Sequence, residues 1–286
     1  MRTSQQWLEI GRAKVFALKD GWIKVKRDDI IRPQYSFSSP PKSPRLLIGL
    51  NQPLIILNEK KYLVDTGLGD RWTAEELGLI DFQKPRAMIR KLNEIGLHPE
   101  DIDVVIFTHL HYDHCGGILN TEGDNLANIF TKSIFYIQRE EWEFALNPPL
   151  NRRSDYRPEV LEVLKSDPRL ELVEGEVELD DGLRIVPLPG HTPGHQGVIL
   201  EQGSQRLLIL GDLLATIFHA NITTTMTYDN NPKEVLHMRK EILTNPVNYG
   251  TFLFLAHSYH LTFGRLTGAK KNGNFDIQLI EESPIK

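Results

Sequence analysis

Residues 104–117 read VVIFTHLHYDHCGG. The run VVIF has no polar residue, the pattern of a short strand buried on both faces. Directly beyond it stand His109, His111, Asp113 and His114, four candidate donors within six residues. In an extended segment, residues two apart point the same way, so His109 and His111 share a face. Asp113 and His114 fall where the chain turns towards Gly116 and Gly117. One short loop at a strand end therefore presents two different sets of donors. A lone histidine is ordinarily a surface or hydrogen-bonded core residue. Three histidines and an aspartate crowded at the end of a buried strand have another explanation: imidazole and carboxylate are the donors that zinc and similar divalent metals take.

Further candidates lie on either side, each at the end of a short apolar run. Downstream, RIVPLPGH ends in His191, LLILGD in Asp212 and TFLFLAH in His257. Upstream, LVDTG carries Asp65. Taken singly, each of these reads as structural. Taken with the first cluster, they complete two coordination sets.

The order HxHxDH, His, Asp, His, preceded by an Asp at a strand end, resembles the metallo-β-lactamase fold superfamily. The resemblance runs from the Leu46 hairpin to His257 and rests on five separated elements in the right order. It implies an α+β fold, an αββα sandwich of two mixed β-sheets flanked by helices, with the site at one edge between the sheets. It also implies that His109, His111 and His191 hold one metal, that Asp113, His114 and His257 hold the other, and that Asp212 bridges them. Asp65 then orients ligands through hydrogen bonds, and His195, four residues after His191, braces its loop. Two divalent ions are implied, zinc first, with iron, manganese or cobalt tolerated by the same donors.

Departures narrow the branch. Asp212 stands where the zinc β-lactamases with a cysteine ligand place that cysteine, which argues against antibiotic hydrolysis. His111 stands where flavodiiron-type relatives have a glutamate. The similarity that is left is to lactonase, organophosphate-hydrolase and glyoxalase-II-like members. Quorum-quenching lactonases carry a tyrosine three residues after the bridging aspartate, and here that position is Ala215. Tyr228 is a candidate source of a similar hydroxyl.

The implied chemistry is hydrolysis of a small ester, lactone or thioester by a metal-bridging hydroxide. Asp113 is the catalytic candidate, as ligand, orienter of the nucleophile and proton shuttle. No GxSxG motif is present, and the single cysteine, Cys115, has no activating partner beyond His114. Small phosphoester hydrolysis, a mononuclear-iron oxygenase of the persulfide-dioxygenase kind and a non-catalytic metal scaffold stand as alternatives. Phe218, His219 and Tyr228 are candidate pocket residues, with Trp72 and Met226 as further candidates for an apolar wall. His219 reads equally well as a helix cap.

Composition bounds the remainder. The chain has 286 residues, 40% hydrophobic and 25% charged, which suits a globular domain. We read it as one domain over 1–286: N-terminal strands and loop over 1–45, a motif-bearing core over 46–257 and a C-terminal extension over 258–286. Its net charge of −5 disfavours a broad nucleic-acid-binding face. The start of the sequence shows no apolar leader and no run is long enough to span a bilayer, so a cytoplasmic protein with a small-molecule substrate is expected, with no membrane partner. Pairing of two chains through the N-terminal strands is conceivable. One cysteine excludes an internal disulfide.

Patterning predicts one or two strands in 1–35, a Pro/Ser-rich loop over 36–45, and a hairpin over 46–65 turning at Asn58–Lys60. It predicts strands at Ile134–Gln138, Leu183–Val186, Val198–Leu200, Leu207–Leu210 and Thr251–Leu255. Helices are expected within Pro85–Ile95, over Arg139–Asn147 and Pro158–Ser166, and over Pro232–Leu243 with Asn231 as N-cap. A weak internal echo links 54–65 with 198–212: strand, polar turn, strand, Asp.

Overall fold

The computed structural model describes residues 6–33, 43–69, 71–73, 75–76, 87–120, 126–269 and 274–280. Parts of the expected loop over 36–45 and of the helix within 85–95 lie outside these residues. The first half contributes strands β1 (Gln6–Ile10), β2 (Ala13–Lys26), β3 (Arg32–Pro33), β4 (Arg45–Leu57), β5 (Lys60–Val64), β6 (Val104–Ile106), β7 (Ile134–Gln138) and β8 (Leu170–Val173). All but β3 form a seven-stranded sheet in the order β1-β2-β4-β5-β6-β7-β8, antiparallel up to β5 and parallel beyond it.

The second half contributes β9 (Val177–Asp180), β10 (Leu183–Pro187), β11 (Gln196–Gln202), β12 (Gln205–Ile209), β13 (Thr224–Thr225), β14 (Phe252–Phe254), β15 (Phe263–Ala269) and β16 (Phe275–Leu279). Its seven-stranded sheet runs β16-β15-β14-β12-β11-β10-β9, with β12 and β14 parallel. β13 pairs with β3 in a short ribbon linking the halves.

Among the described residues the α-helices are α1 (Arg27–Ile30), α2 (Ala87–Glu94), α3 (Tyr112–Cys115), α4 (Arg139–Leu146), α5 (Pro158–Ser166) and α6 (Pro232–Thr244). Together they make the αββα sandwich of two mixed sheets. Strand alternation explains the unbroken apolar runs. Val104 and Ile106 of β6 face the second sheet, whereas Val105 joins the layer that includes Met88, Leu92, Trp142 and Leu164 from α2, α4 and α5. On the other side Leu207 and Ile209 point between the sheets, and Leu208 packs towards Val235 and Leu243 of α6. Each such buried aliphatic side chain contributes about 1.5–3 kcal/mol, enough to pin the ends of these central strands. Asn231 caps α6 by accepting from the Glu234 amide, and Pro232 opens the helix.

The echo in the sequence is a repeat in the fold. A hairpin, β4–β5, turns at Asn58 and Glu59, both at positive φ, and its second strand lies parallel to β6. A second hairpin, β11–β12, is followed in the same way by parallel β14. The four strand ends carry Asp65, the His109 loop, Asp212 and His257. The register Val64↔Ile106 in one sheet and Ile209↔Phe254 in the other brings these ends level at one edge of the sandwich. Among the described residues, no helix is long and apolar enough to cross a membrane.

Candidate metal centre

Seven side chains from five chain segments converge at this edge. His109 and His111 leave the end of β6, with His111 in extended conformation just before α3. Asp113 and His114 lie in α3. His191 comes from the β10–β11 connection, Asp212 from the turn after β12, and His257 from the loop after β14. The chain can pack this closely because it has glycines where backbones touch. A Cβ on Gly117 would stand 2.0 Å from the Thr66 carbonyl oxygen. Gly211 has φ +50°, and a side chain there would meet His195 Nε2 at 2.6 Å.

The ring nitrogens form two groups. His109 Nε2 lies 3.0 Å from His111 Nδ1, and His191 Nε2 lies 3.1 Å from that same Nδ1. His114 Nε2 lies 3.1 Å from His257 Nε2, and Asp113 Oδ2 is 3.7 Å from the latter. Asp212 stands between the groups: Oδ1 is 3.1 Å from His257 Nε2 and 3.5 Å from His114 Nε2, and Oδ2 is 3.3 Å from His191 Nε2. Apart from Asp113, all seven are buried.

The far side of each ring decides which nitrogen carries a proton. His191 Nδ1 faces Asp229 Oδ1 at 2.8 Å, His257 Nδ1 faces the Gly49 carbonyl at 2.9 Å, and His114 Nδ1 faces Asp65 Oδ2 at 2.8 Å. These acceptors require Nδ1–H. Thr108 donates its hydroxyl to Asp65 Oδ2, so its oxygen accepts from His109 Nδ1 at 3.0 Å. In the neutral rings four Nε2 atoms thereby point inward as lone pairs, joined by His111 Nδ1. Lone pairs 3.0–3.1 Å apart repel unless a proton or a metal ion lies between them. Nitrogens at tetrahedral corners around zinc at 2.0–2.1 Å would be about 3.3 Å apart, so the donor set fits such ions. The groups His109–His111–His191 and Asp113–His114–His257 each bring their ligand atoms within 4.8 Å of one another.

Charge follows the same layout. Burial and the neighbouring imidazoles hold His109 and His111 well below the ordinary histidine range. Burial also opposes charge on His114, but Asp65, Asp212 and Asp113 outweigh it and push His114 up to about 10. His191 and His257 are raised by Asp212 against the same desolvation. Metal uptake therefore displaces protons from this centre.

Supporting residues fall into those the sequence pointed to and those it did not. Asp65 adopts φ +59°, and its carboxylate accepts from the Thr108 amide and hydroxyl and from His114. His195 donates Nδ1–H to the Leu188 carbonyl and accepts the Asp212 amide on Nε2, so both its nitrogens are spent and it braces the backbone of Asp212. Burial keeps it neutral, down at about 3. Asp229, Glu141 and Asn51 escaped the sequence reading. Buried Glu141 accepts from the Leu110 amide and the Thr192 hydroxyl, tying the two histidine loops together. Asn51 donates to the carbonyls of Leu255, Ala256 and Ser258 around His257. None of the three follows an apolar run into a His/Asp motif, so only the fold discloses them.

A cleft opens over the centre, lined by Ile23, Val25, Ile30, Ile48, Ala215 and Met226 beside Tyr112, Tyr228 and the ligands. Tyr228 and Met226 both line this cleft. Of the two readings for His219, the structure has the cap: it is fully buried, its Nδ1 bonds to Thr216 and its Nε2 contacts the Ile30 carbonyl. Phe218 packs against the apolar cluster that includes the wall but is not itself among the residues lining the cleft. Trp72 donates to the Leu68 carbonyl and lies edge-on to Tyr112 under the Arg157 guanidinium. Beyond Met226 and Ala215, the wall comes from β2 (Ile23 and Val25), α1 (Ile30) and β4 (Ile48), with Ile23 and Val25 two apart on one strand face.

An αββα sandwich carrying paired His/Asp donor sets at one sheet edge defines the metallo-β-lactamase class of fold. The profile of the metallo-beta-lactamase superfamily matches residues 51–257, and the chain belongs to that family. An N-acyl homoserine lactonase of Bacillus cereus is 29% identical over 168 residues, 55% of this chain and 60% of the relative, so the chain spans about three-fifths of the length of that lactonase. A probable metallo-hydrolase of Mycobacterium tuberculosis is 26% identical over 178 residues, 56% of this chain and 54% of the relative. Among solved structures, a probable metal-dependent hydrolase from Staphylococcus aureus superposes with TM-score 0.84 at 20% identity, over 96% of this chain and 100% of that one. The dizinc quorum-quenching lactonase AidC superposes with TM-score 0.78 at 20% identity, over 99% of both chains.

Proposed function

We propose that this chain is a dinuclear metal hydrolase, zinc-type, that cleaves a small ester, lactone or thioester. The observation that carries the reading is the convergence of five imidazole lone pairs in two groups, with one carboxylate, Asp212, directing an oxygen at each. His109, His111 and His191 would hold one ion and Asp113, His114 and His257 the other. Divalent cations held by these residues would supply Lewis acidity, lowering the pKa of a water and drawing charge from the scissile carbonyl. The lactonase and metal-dependent hydrolase relatives support this class of reaction.

The chain's own residues do the rest. Asp113 is the only one of the seven donors not fully buried and it lines the cleft, so its free carboxylate oxygen can take a proton from the attacking water and pass it to the leaving oxygen or sulfur. Tyr228 lines the same cleft, and burial with nearby Asp29 and Asp113 pushes its phenol up to about 12. It stays protonated at neutral pH and can donate to the substrate carbonyl. The apolar wall excludes water and receives the substrate's hydrocarbon part.

The test is metal quantification on the protein as isolated, then turnover on lactones, aryl esters, thioesters and phosphoesters. Two zinc per chain with lactone or ester turnover is expected, and Asp113→Ala should abolish that turnover while the circular-dichroism spectrum stays unchanged. A single iron per chain, or wild-type rates in Asp113→Ala, would overturn the proposal.

A further inference from the structure

Helix α6 carries an arginine, Arg239, that is 0% exposed. Among the described residues no carboxylate comes within ion-pair distance of it, and Asp229 is the acidic group whose charge reaches it. Burial pulls the guanidinium down to about 10, so it stays charged at neutral pH. A buried charge without a partner ion costs more than an apolar side chain of similar volume. The layer around it, with Val235 and Leu243 of the same helix, has no packing need for a charge. The guanidinium is spent on carbonyls instead. Nε donates to Leu213 at 2.7 Å and Nη1 donates to Thr224, while Nη2 is enclosed without a partner.

Both carbonyls belong to segments of the candidate metal centre. Leu213 follows Asp212 in the turn Gly211–Leu214. Thr224 opens β13 and leads to Tyr228 and to Asp229, whose carboxylate faces His191. The start of α6 is seated on a third segment: the amides of Asn230 and Asn231 donate to the carbonyls of His191 and Gly190 at 3.0 and 2.8 Å. One helix therefore grips the His191 loop at its start and, about two turns on, the segments of Asp212 and Asp229. A guanidinium suits this task because its donors lie in a fixed planar fork, which sets two carbonyls at one spacing, whereas an ammonium is a point charge on a flexible stem. Resting on the dinuclear reading above, we propose that Arg239 is a positioning residue that fixes the carboxylate of Asp212 against His191 and its partner Asp229. It touches neither substrate nor ion. Its effect is unequal between the two donor groups. His109–His111–His191 depends on both segments that Arg239 ties, and Asp113–His114–His257 only on that of Asp212. A residue that merely fills the core would lower stability without distinguishing the groups.

The experiment compares Arg239→Lys, which keeps the charge but cannot fork, with Arg239→Met, which keeps only the bulk. Zinc affinity is read by chelator competition, and folding by the melting curve of the metal-free proteins. In both variants one of the two zinc ions should be held about 10-fold more weakly, with the other within about twofold of wild type. Wild-type affinity for both ions, an equal loss at both, or failure of both variants to fold overturns the inference and leaves Arg239 a core residue. The hydrolase reading is judged apart, on wild-type turnover of lactones, esters and thioesters. Unequal loss of zinc in the variants of a protein that turns over none of these sinks that reading and leaves the role of Arg239 standing. If the wild type holds a single zinc, the dinuclear reading fails, and a 10-fold loss of that ion in Arg239→Lys supports the role while unchanged affinity overturns it. No zinc uptake by the wild type overturns both.

Discussion

An imidazole reaches a cation only through a lone pair, so the group behind each ring matters as much as the ring. His191 shows the dependence. Its Nδ1–H is held by Asp229, which is itself fixed by accepting the Met226 amide at 2.7 Å. Removing that carboxylate frees the ring to rotate or change tautomer. Asp229→Ala should weaken metal binding about 10- to 100-fold while leaving the fold intact. Competition against a chelator, with the melting curve as control, measures it, and wild-type affinity would refute the role. Asp229 was illegible in the sequence for a physical reason. It sits in YDNNP, which reads as a turn feeding the cap of α6, and nothing local says that its carboxylate faces a histidine 38 residues earlier. Asp65, by contrast, was legible because it ends a strand directly ahead of the HxHxDH loop. The same limit explains His219, whose place beside Phe218 suggested the pocket but whose two nitrogens are spent on backbone and Thr216.

Among the elements, those that position the centre were the readable ones. β6, β12 and β14 are buried on both faces, so each shows as an unbroken apolar run with a donor at its end. β8 and β9 have mostly half-buried residues and no such run, and neither was among the strands that the patterning predicts. β15 is interrupted by Gly264 and Gly268, and with β16 it extends the second sheet beyond the last motif. Helix α4 was readable, but its role was not. Its Glu141 reaches inward to join the loop after β6 to the loop after β10, and a Cβ on Gly194 would lie 2.0 Å from the Glu141 backbone nitrogen. Glu141→Ala leaves the buried Leu110 amide and Thr192 hydroxyl without partners, a loss of about 1–3 kcal/mol for each group so stranded. Urea unfolding should show a lower midpoint at an unchanged slope. A midpoint equal to wild type would mean that water replaces the carboxylate and the cross-tie is dispensable.

At the scale of the whole molecule, the candidate donors from both sheets meet only when the sandwich is closed, so on the proposed reading metal binding and folding are one equilibrium. His109, His111, Asp113 and His114 come from the first sheet's strand ends and His191, Asp212 and His257 from the second. Stripping the metal should therefore lower Tm, and by an amount that depends on pH. In the metal-free protein, His114 is raised from its ordinary 6.5 to about 10 by Asp65, Asp212 and Asp113 against burial. A raised histidine gives stability that is complete below about 6.5 and disappears as pH climbs through about 10. The metal-bound protein responds with the opposite sign, because its ligands must be unprotonated and acid competes for them. The gap in Tm between loaded and chelator-treated protein should thus be wider at pH 9 than at pH 6. Zinc added to the stripped, weakly buffered protein near neutrality should also release protons. A gap that is constant or narrows with rising pH, or zinc uptake without proton release, would show that these histidines are already neutral and that Asp65 does not hold a charge on His114.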